Sequence, residues 1–378
     1  MRRDGMKVGI LTYHRSVNYG AYLQALALCK RLNREQDISA EIIDFRMKCD
    51  ERHYKYSFQT RQPKRILHKI RLNRTFVKSA ELLPKSEAYP SSDSLDDFVK
   101  YVSGKYDILI AGSDEIWRTD TFRGFPNPYW LPGDLGCIKV AYAASAAKCC
   151  FVDMPEADRS QLEALLKDFS YIGIRDKKTY DEISKLGVVN DKLHMCCDPS
   201  FVYDFQADVD RGKKLLFGRY HLDKDKKTIL YMGTNAAFVQ TLKSRFPGAN
   251  ILCVYTMIDG ALNAPNLSPL EWVDVIAAVD FFVTEYFHGS CFAIINNTPF
   301  FAIETRTNMD ASSKLFNLLM DFDLLERYDM KYSKNGVNRM MELISAALDG
   351  KGVDYSEIVQ KQRSSFGTFV TELRRLRV

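Results

Sequence analysis

One histidine stands where proton chemistry beside an anion is simple to build. Residues 281–284 form a short apolar run, and Glu285-Tyr286-Phe287-His288-Gly289-Ser290 follows, opening a helical stretch over 289–296. Such a junction combines an imidazole, which exchanges protons near neutrality, with the unpaired backbone N–H groups of a helix start, here at Gly289 and Ser290. Together they suit an anionic intermediate that gains or loses a proton. A solitary histidine on an apolar face is more often a core residue. The neighbours of His288, however, are turn residues.

Two further segments carry candidate chemistry. Residues 106–111 (YDILIA) read as a strand, and Gly112-Ser113-Asp114-Glu115-Ile116-Trp117 follow it. A tryptophan face can stack on a pyranose while a carboxylate takes its hydroxyls, so Ser113, Asp114 and Trp117 are candidates for a sugar site. Asp114 could equally cap a helix, and Trp117 could belong to the core. His14-Arg15-Ser16-Val17-Asn18-Tyr19-Gly20-Ala21 opens the first helix. Asn18 and Gly20 there could meet a ligand, or Gly20 could simply fit a strand–helix turn. Of the other histidines, His14 shares that loop, His53 and His68 fall in a basic stretch, and His194 and His221 have no helpful company.

The elements that must position these residues alternate. Residues 7–13 read as a strand, 19–32 as a helix and 41–45 as a second strand, which implies a parallel pair. After an insert at 46–90 come a helix (93–103), strands (106–111 and 139–143), a helix (161–169), a strand (171–174), a helix (177–186) and a strand (193–196). A second series follows a polar stretch at 206–214. It has strands at 228–232, 251–255, 281–284 and 300–303, with helices at 236–246, 269–278, 289–296 and 312–319. Two consecutive α/β series predict two Rossmann-like domains facing across a cleft, residues 1–205 and 206–355. A last helix at 356–376, within a terminal segment 356–378, is expected to pack back on the first domain. Ligands in such sheets gather at the carboxyl ends of strands, where all three segments above lie.

Composition narrows the classes. Hydrophobic residues make up 46% and charged residues 27%, ordinary for a globular chain, and no apolar run approaches the length of a membrane span. The start of the chain lacks the apolar stretch of a secretory signal. Nine cysteines, an odd number with no C-x-x-C pair, read as reduced thiols in a cytoplasmic protein, with no metal site. The net charge of +5 is uneven: residues 46–85 hold twelve Lys/Arg against three Asp/Glu, a net of +9, which leaves −4 for the remainder. That excludes a global polyelectrolyte, and nucleic-acid binding with it.

Taken in order, seven elements of the chain resemble the polysaccharide pyruvyltransferase family. They are Asn18-Tyr19-Gly20-Ala21-Tyr22-Leu23-Gln24, Asp107 with Gly112 to Trp117, Tyr142-Ala143-Ala144-Ser145, Ile174-Arg175-Asp176 and Cys197-Asp198-Pro199-Ser200. Thr284 with Phe287-His288-Gly289, and Lys314-Leu315 with Leu318-Leu319 and Leu324, complete the set. The resemblance implies a GT-B-like fold, phosphoenolpyruvate as donor, a sugar diol as acceptor, a cyclic ketal as product and no cofactor. It puts the family's histidine on His288 and its strand-end arginine on Arg175, which would grip the donor carboxylate or phosphate. Where many members carry arginine, this chain has Tyr286, so Arg306, Lys314 or Arg15 would supply the missing cation. Glu115 replaces a frequent glutamine.

On this reading His288 exchanges protons, assisted by Asp114 on the acceptor side. Gly289, Ser290, Arg306 and Lys314 join Arg175 around the donor. The basic segment 61–74 sets Ile66, Leu67 and Ile70 on one helical side. It could rest on the inner face of the cytoplasmic membrane beside a lipid-linked acceptor, or simply cover the domain edge. Two rivals share the features: a GT-B nucleotide-sugar glycosyltransferase, and a catalytically silent glycan-binding relative suggested by Tyr286.

Overall fold

The computed structural model describes residues 5–55, 62–305 and 313–377. The first half contains strands β1 (Met6–Leu11), β2 (Ile38–Ile42), β3 (Ile108–Ala111), β4 (Ile138–Ala144), β5 (Phe169–Ile174) and β6 (Leu193–Met195). Its helices are α1 (Tyr19–Leu32), α2 (Lys48–Lys55), α3 (Pro63–Ala80), α4 (Leu95–Val102), α5 (Glu156–Lys167) and α6 (Lys177–Leu186). The strands lie in the order β2-β1-β3-β4-β5-β6, all parallel. β3 is buried along its whole length, as a strand covered by helices on both faces must be.

The second half has strands β7 (Thr228–Met232), β8 (Asn250–Val254), β9 (Leu262–Ala264), β10 (Phe281–Thr284), β11 (Phe300–Glu304) and β12 (Tyr328–Met330). Helices α7 (Val209–Lys213), α8 (Ala236–Arg245), α9 (Pro269–Ala278), α10 (Phe287–Ile295), α11 (Lys314–Asp321), α12 (Lys334–Leu348) and α13 (Ser356–Leu376) accompany them. The order is β12-β11-β10-β7-β8-β9, again all parallel. Local chemistry sets several boundaries. Asn18 caps α1 by accepting from the Ala21 N–H, and Ser268 with Glu271 forms a reciprocal capping box that starts α9.

The halves share one core. Tyr19 of α1 stacks on Trp272 of α9, centroids 4.8 Å apart and planes 5° from parallel. α13 lies on the first sheet, where Phe369 meets Tyr142 at 4.4 Å, while Arg374 pairs with Asp37 and Glu35.

Three expectations shift. β2 begins and ends three residues earlier than 41–45, because Asp44 turns out of the sheet to meet His14 and Arg15. The polar stretch 206–214 is not simply a linker. It contains α7, held to α9 through Arg211 and Asp274, with Gly212 against the Asp274 carbonyl, where a Cβ would lie 2.3 Å away. α10 starts at Phe287, so His288 is inside the first helical turn. The Thr284 hydroxyl accepts the Tyr286 N–H at 3.1 Å, which fixes that start.

Candidate active site

A cavity of about 730 Å³ opens between the sheets. Its walls come from the loops after β1, β3, β7, β8, β10 and β11, the strand ends where α/β sheets collect ligands.

His288 lies on its wall, with its side chain 10% exposed. Two glycines hold it there. Gly20 leaves the room the ring occupies: a Cβ at that position would stand 1.9 Å from Nδ1. Gly289 lets α10 settle on Thr284, whose Oγ1 would be 2.1 Å from a Cβ. Nε2 lies 3.7 Å from Asp198 Oδ2 and has no hydrogen-bond partner among the described residues. Burial pushes the Asp198 carboxyl up. Its contacts with His288 and Arg175 outweigh that and hold it well below the usual carboxylate range. The result is an ionised carboxylate 3.7 Å from the imidazole Nε2.

The Gly20 contact yields a sharp test. On helix propensity alone, Gly20→Ala should stabilise α1 by about 1 kcal/mol. Here the added methyl must instead displace the imidazole, and misplacing a catalytic group by about 1 Å costs on the order of a hundredfold in rate. We expect turnover to fall at least tenfold in a folded variant. A raised Tm with unchanged turnover would remove His288 from the chemistry.

The structure places the remaining candidates unevenly. Arg175 sits behind the cavity wall with its side chain 2% exposed. It donates to Asp198 Oδ2 at 2.6 Å, to Asp114 Oδ1 at 3.1 Å and to Ser113 Oγ at 3.4 Å. Its guanidinium is thus engaged by two carboxylates and borders a smaller, separate cavity of about 310 Å³. Asp114 does line the main cavity, in a left-handed conformation with φ of 81° that aspartate tolerates.

Trp117 is core, not a sugar platform. It is fully buried, stacks on Trp130 at 4.9 Å, and donates its indole N–H to the Tyr129 carbonyl. Ser113 and Ser290 are fully buried as well. Asn18 is exposed on the cavity rim, its side chain engaged in capping α1. Arg306 lies outside the described residues. Arg15 pairs with Asp44 and Glu81, and His14 bonds Asp44 at 3.0 Å, so neither is directed to the cavity.

Lys314 does face it, donating to Glu115 Oε1 at 2.9 Å across 199 positions of sequence and lying 5.3 Å from the Phe287 ring centre. Two cations on the cavity wall carried no sequence signal. Arg118 forks onto Asp120 and approaches Glu115 at 3.4 Å. Arg123 pairs with Asp50 at 2.6 Å and covers the Tyr13 ring at 4.3 Å. Both follow Trp117 in a loop without regular periodicity. Asp198 was visible only as part of a Cys-Asp-Pro-Ser turn.

Lys314 draws the Glu115 carboxyl down to about 2, further helped by Arg175 and Arg118, against the opposing effect of burial. A depressed carboxylate contributes stability that is complete above its ordinary value of 4.5 and lost as pH falls towards 2. Since both side chains are about one-fifth exposed, solvent screening limits the pair to about 1–2 kcal/mol. Denaturant titrations should show the wild type losing that increment between pH 5 and 2. Glu115→Gln should lack it at every pH, and parallel pH curves for the two proteins would refute the pairing.

Residues 18–307 match the model of a family described as polysaccharide pyruvyl transferase. The chain belongs to that family. It is therefore read as a transferase of polysaccharide pyruvylation. No curated protein matches the chain. Among solved structures, the UDP-GlcNAc 2-epimerase from Neisseria meningitidis, bound to UDP-GlcNAc, aligns with a TM-score of 0.53 at 10% identity, covering 98% of this chain and 100% of that one. The UDP-GlcNAc 2-epimerase from Methanocaldococcus jannaschii gives 0.57 at 10% identity, with the same coverage. Likeness at that identity establishes the fold alone, two Rossmann-like halves in a GT-B-like arrangement. Among the described residues, no helix is long and apolar enough to cross a membrane.

Proposed function

We propose that the chain transfers pyruvate from phosphoenolpyruvate to two hydroxyls of one sugar in a surface glycan or its lipid-linked precursor, releasing phosphate. The observation that carries this reading is the imidazole of His288, seated in the space left by Gly20, flanked by the Asp198 anion and set in the first turn of α10. A proton adds to the methylene carbon of the donor, and C2 becomes cationic. One sugar hydroxyl bonds to C2 as its proton leaves, giving a tetrahedral phosphoketal. The C–O bond to phosphate then breaks with its electron pair, and the second hydroxyl closes the ring while its proton is carried off. His288 exchanges these protons, and Asp114 receives hydroxyl hydrogens on the opposite wall.

The donor's charge needs cations that the cavity can reach, and Arg175, 2% exposed, lies behind its wall. Lys314 and Arg118 on the cavity wall, with the Gly289 N–H in the first turn of α10, are the groups we assign to it; the Ser290 N–H is taken by the Tyr286 carbonyl. Arg175 then acts through Asp198 and Asp114. The test is phosphate release from phosphoenolpyruvate by purified protein, screened over lipid-linked galactose- and mannose-containing acceptors. Release that requires an acceptor, matched by an acceptor gaining one pyruvate less one water, is the expected outcome. Binding of a nucleoside diphosphate with no consumption of phosphoenolpyruvate would overturn the assignment and favour a nucleotide-sugar glycosyltransferase.

A further inference from the structure

Helix α3 has two faces with different chemistry. It carries six Lys/Arg and no Asp or Glu. Its inner face holds His68, Leu72, Phe76, Ser79 and Ala80. Phe76 meets Tyr19 at 5.0 Å, and the Ser79 carbonyl accepts from the Tyr22 hydroxyl, so one end is fixed to the first half of the molecule. The other end is fixed to the second half: His68 donates to the Tyr255 carbonyl at 2.9 Å, and Arg65 pairs with Asp259 at 2.7 Å. Tyr255 lines the main cavity. The helix therefore straddles the junction at the cavity's edge.

Its outer face presents Lys64, Leu67, Arg71, Arg74 and Lys78, spaced three and four apart along one stripe, all exposed. Among the described residues none of these four cations is ion-paired. Leu67, Val77 and Leu82 protrude beside them, 47%, 56% and 77% exposed. The surrounding segment 46–85 has a net charge of +9 on a chain otherwise at −4.

We propose that this outer face of α3 docks on an anionic lipid bilayer and brings the edge of the cavity against the headgroups. The unpaired cations would meet lipid phosphates while the three protruding aliphatic side chains enter the interface. A nucleic acid would satisfy the charges but leave Leu67, Val77 and Leu82 without apolar contact. Docking needs neither donor nor acceptor, so its failure and that of the transferase reading can be told apart.

The test is co-sedimentation of the full chain with vesicles of phosphatidylcholine alone and of phosphatidylcholine with phosphatidylglycerol, at low and high salt. We expect binding to the anionic vesicles only, weakened by salt. Each cation removed at the surface should cost about fivefold in affinity, so Arg71→Gln/Arg74→Gln/Lys78→Gln should lose about a hundredfold. Leu67→Ser/Val77→Ser/Leu82→Ser, with every charge kept, should also bind at least several-fold more weakly. All six residues are exposed, and circular dichroism would verify that both variants fold. Equal binding to neutral vesicles, undiminished binding by the triple glutamine variant, or retention on heparin with no vesicle binding would each overturn the proposal.

Discussion

His288→Ala is expected to lower pyruvyl transfer by about a hundredfold to ten-thousandfold, with a much smaller effect on stability. The ring lies on the cavity wall beside a carboxylate held ionised and at a helix start, where the proposed mechanism needs a proton carrier. His288→Gln would keep polar contacts in the same space without exchanging protons near neutrality, so it should be almost as inactive. Asp198→Asn should also slow turnover, since the neutral amide no longer presents a negative charge beside the ring, while donor affinity changes less. Phosphate release under saturating donor and acceptor measures all three. Near-normal rates in His288→Ala would leave the proposed mechanism without its proton carrier.

Arg175→Ala is expected to fail in a different way, through the fold. Two carboxylates, Asp198 and Asp114, converge on this guanidinium, and Asp198 is as buried as the arginine itself. Removing the cation strands them in a poorly solvated place, at a cost of about 3–5 kcal/mol. Denaturant unfolding measures that loss. A residue that simply gripped the donor at the cavity surface would show the reverse, weaker phosphoenolpyruvate binding with stability unchanged. Pairing Arg175→Met with Asp198→Asn should recover part of the stability, because no unpaired charge then remains at Asp198. Full stability in Arg175→Ala would return the arginine to direct donor contact.

Much of this was legible in the sequence because it depends on neighbours along the chain. The helix at Tyr19–Leu32, the capped helix at Pro269–Ala278 and the strands at Thr228–Met232 and Phe281–Thr284 follow from periodicity and capping residues within a few positions. So does the prominence of His288, since a strand end running into a helix start is a local event. The order of these elements sufficed for two parallel sheets facing across a cleft. Short pieces such as β9 and β12, three residues each, offer too few positions to show a period.

What each side chain does at the site was decided by partners far away in sequence. Gly20 read either as a ligand contact or as a glycine fitting a strand–helix turn, yet its missing Cβ makes room for a histidine from the other half of the chain. Trp117 had the composition of a sugar platform, and Trp130 drew it into the core. Arg175 had the chemistry of an anion receptor, but Asp198, 23 positions on, had already taken it. Lys314 and Glu115 belong to separate halves and meet only across the cleft. Sequence spacing reports on residues within a turn or a strand, over which backbone geometry dictates direction. Burial and charge pairing depend on which surfaces close on one another, and that is set only when the two sheets come together.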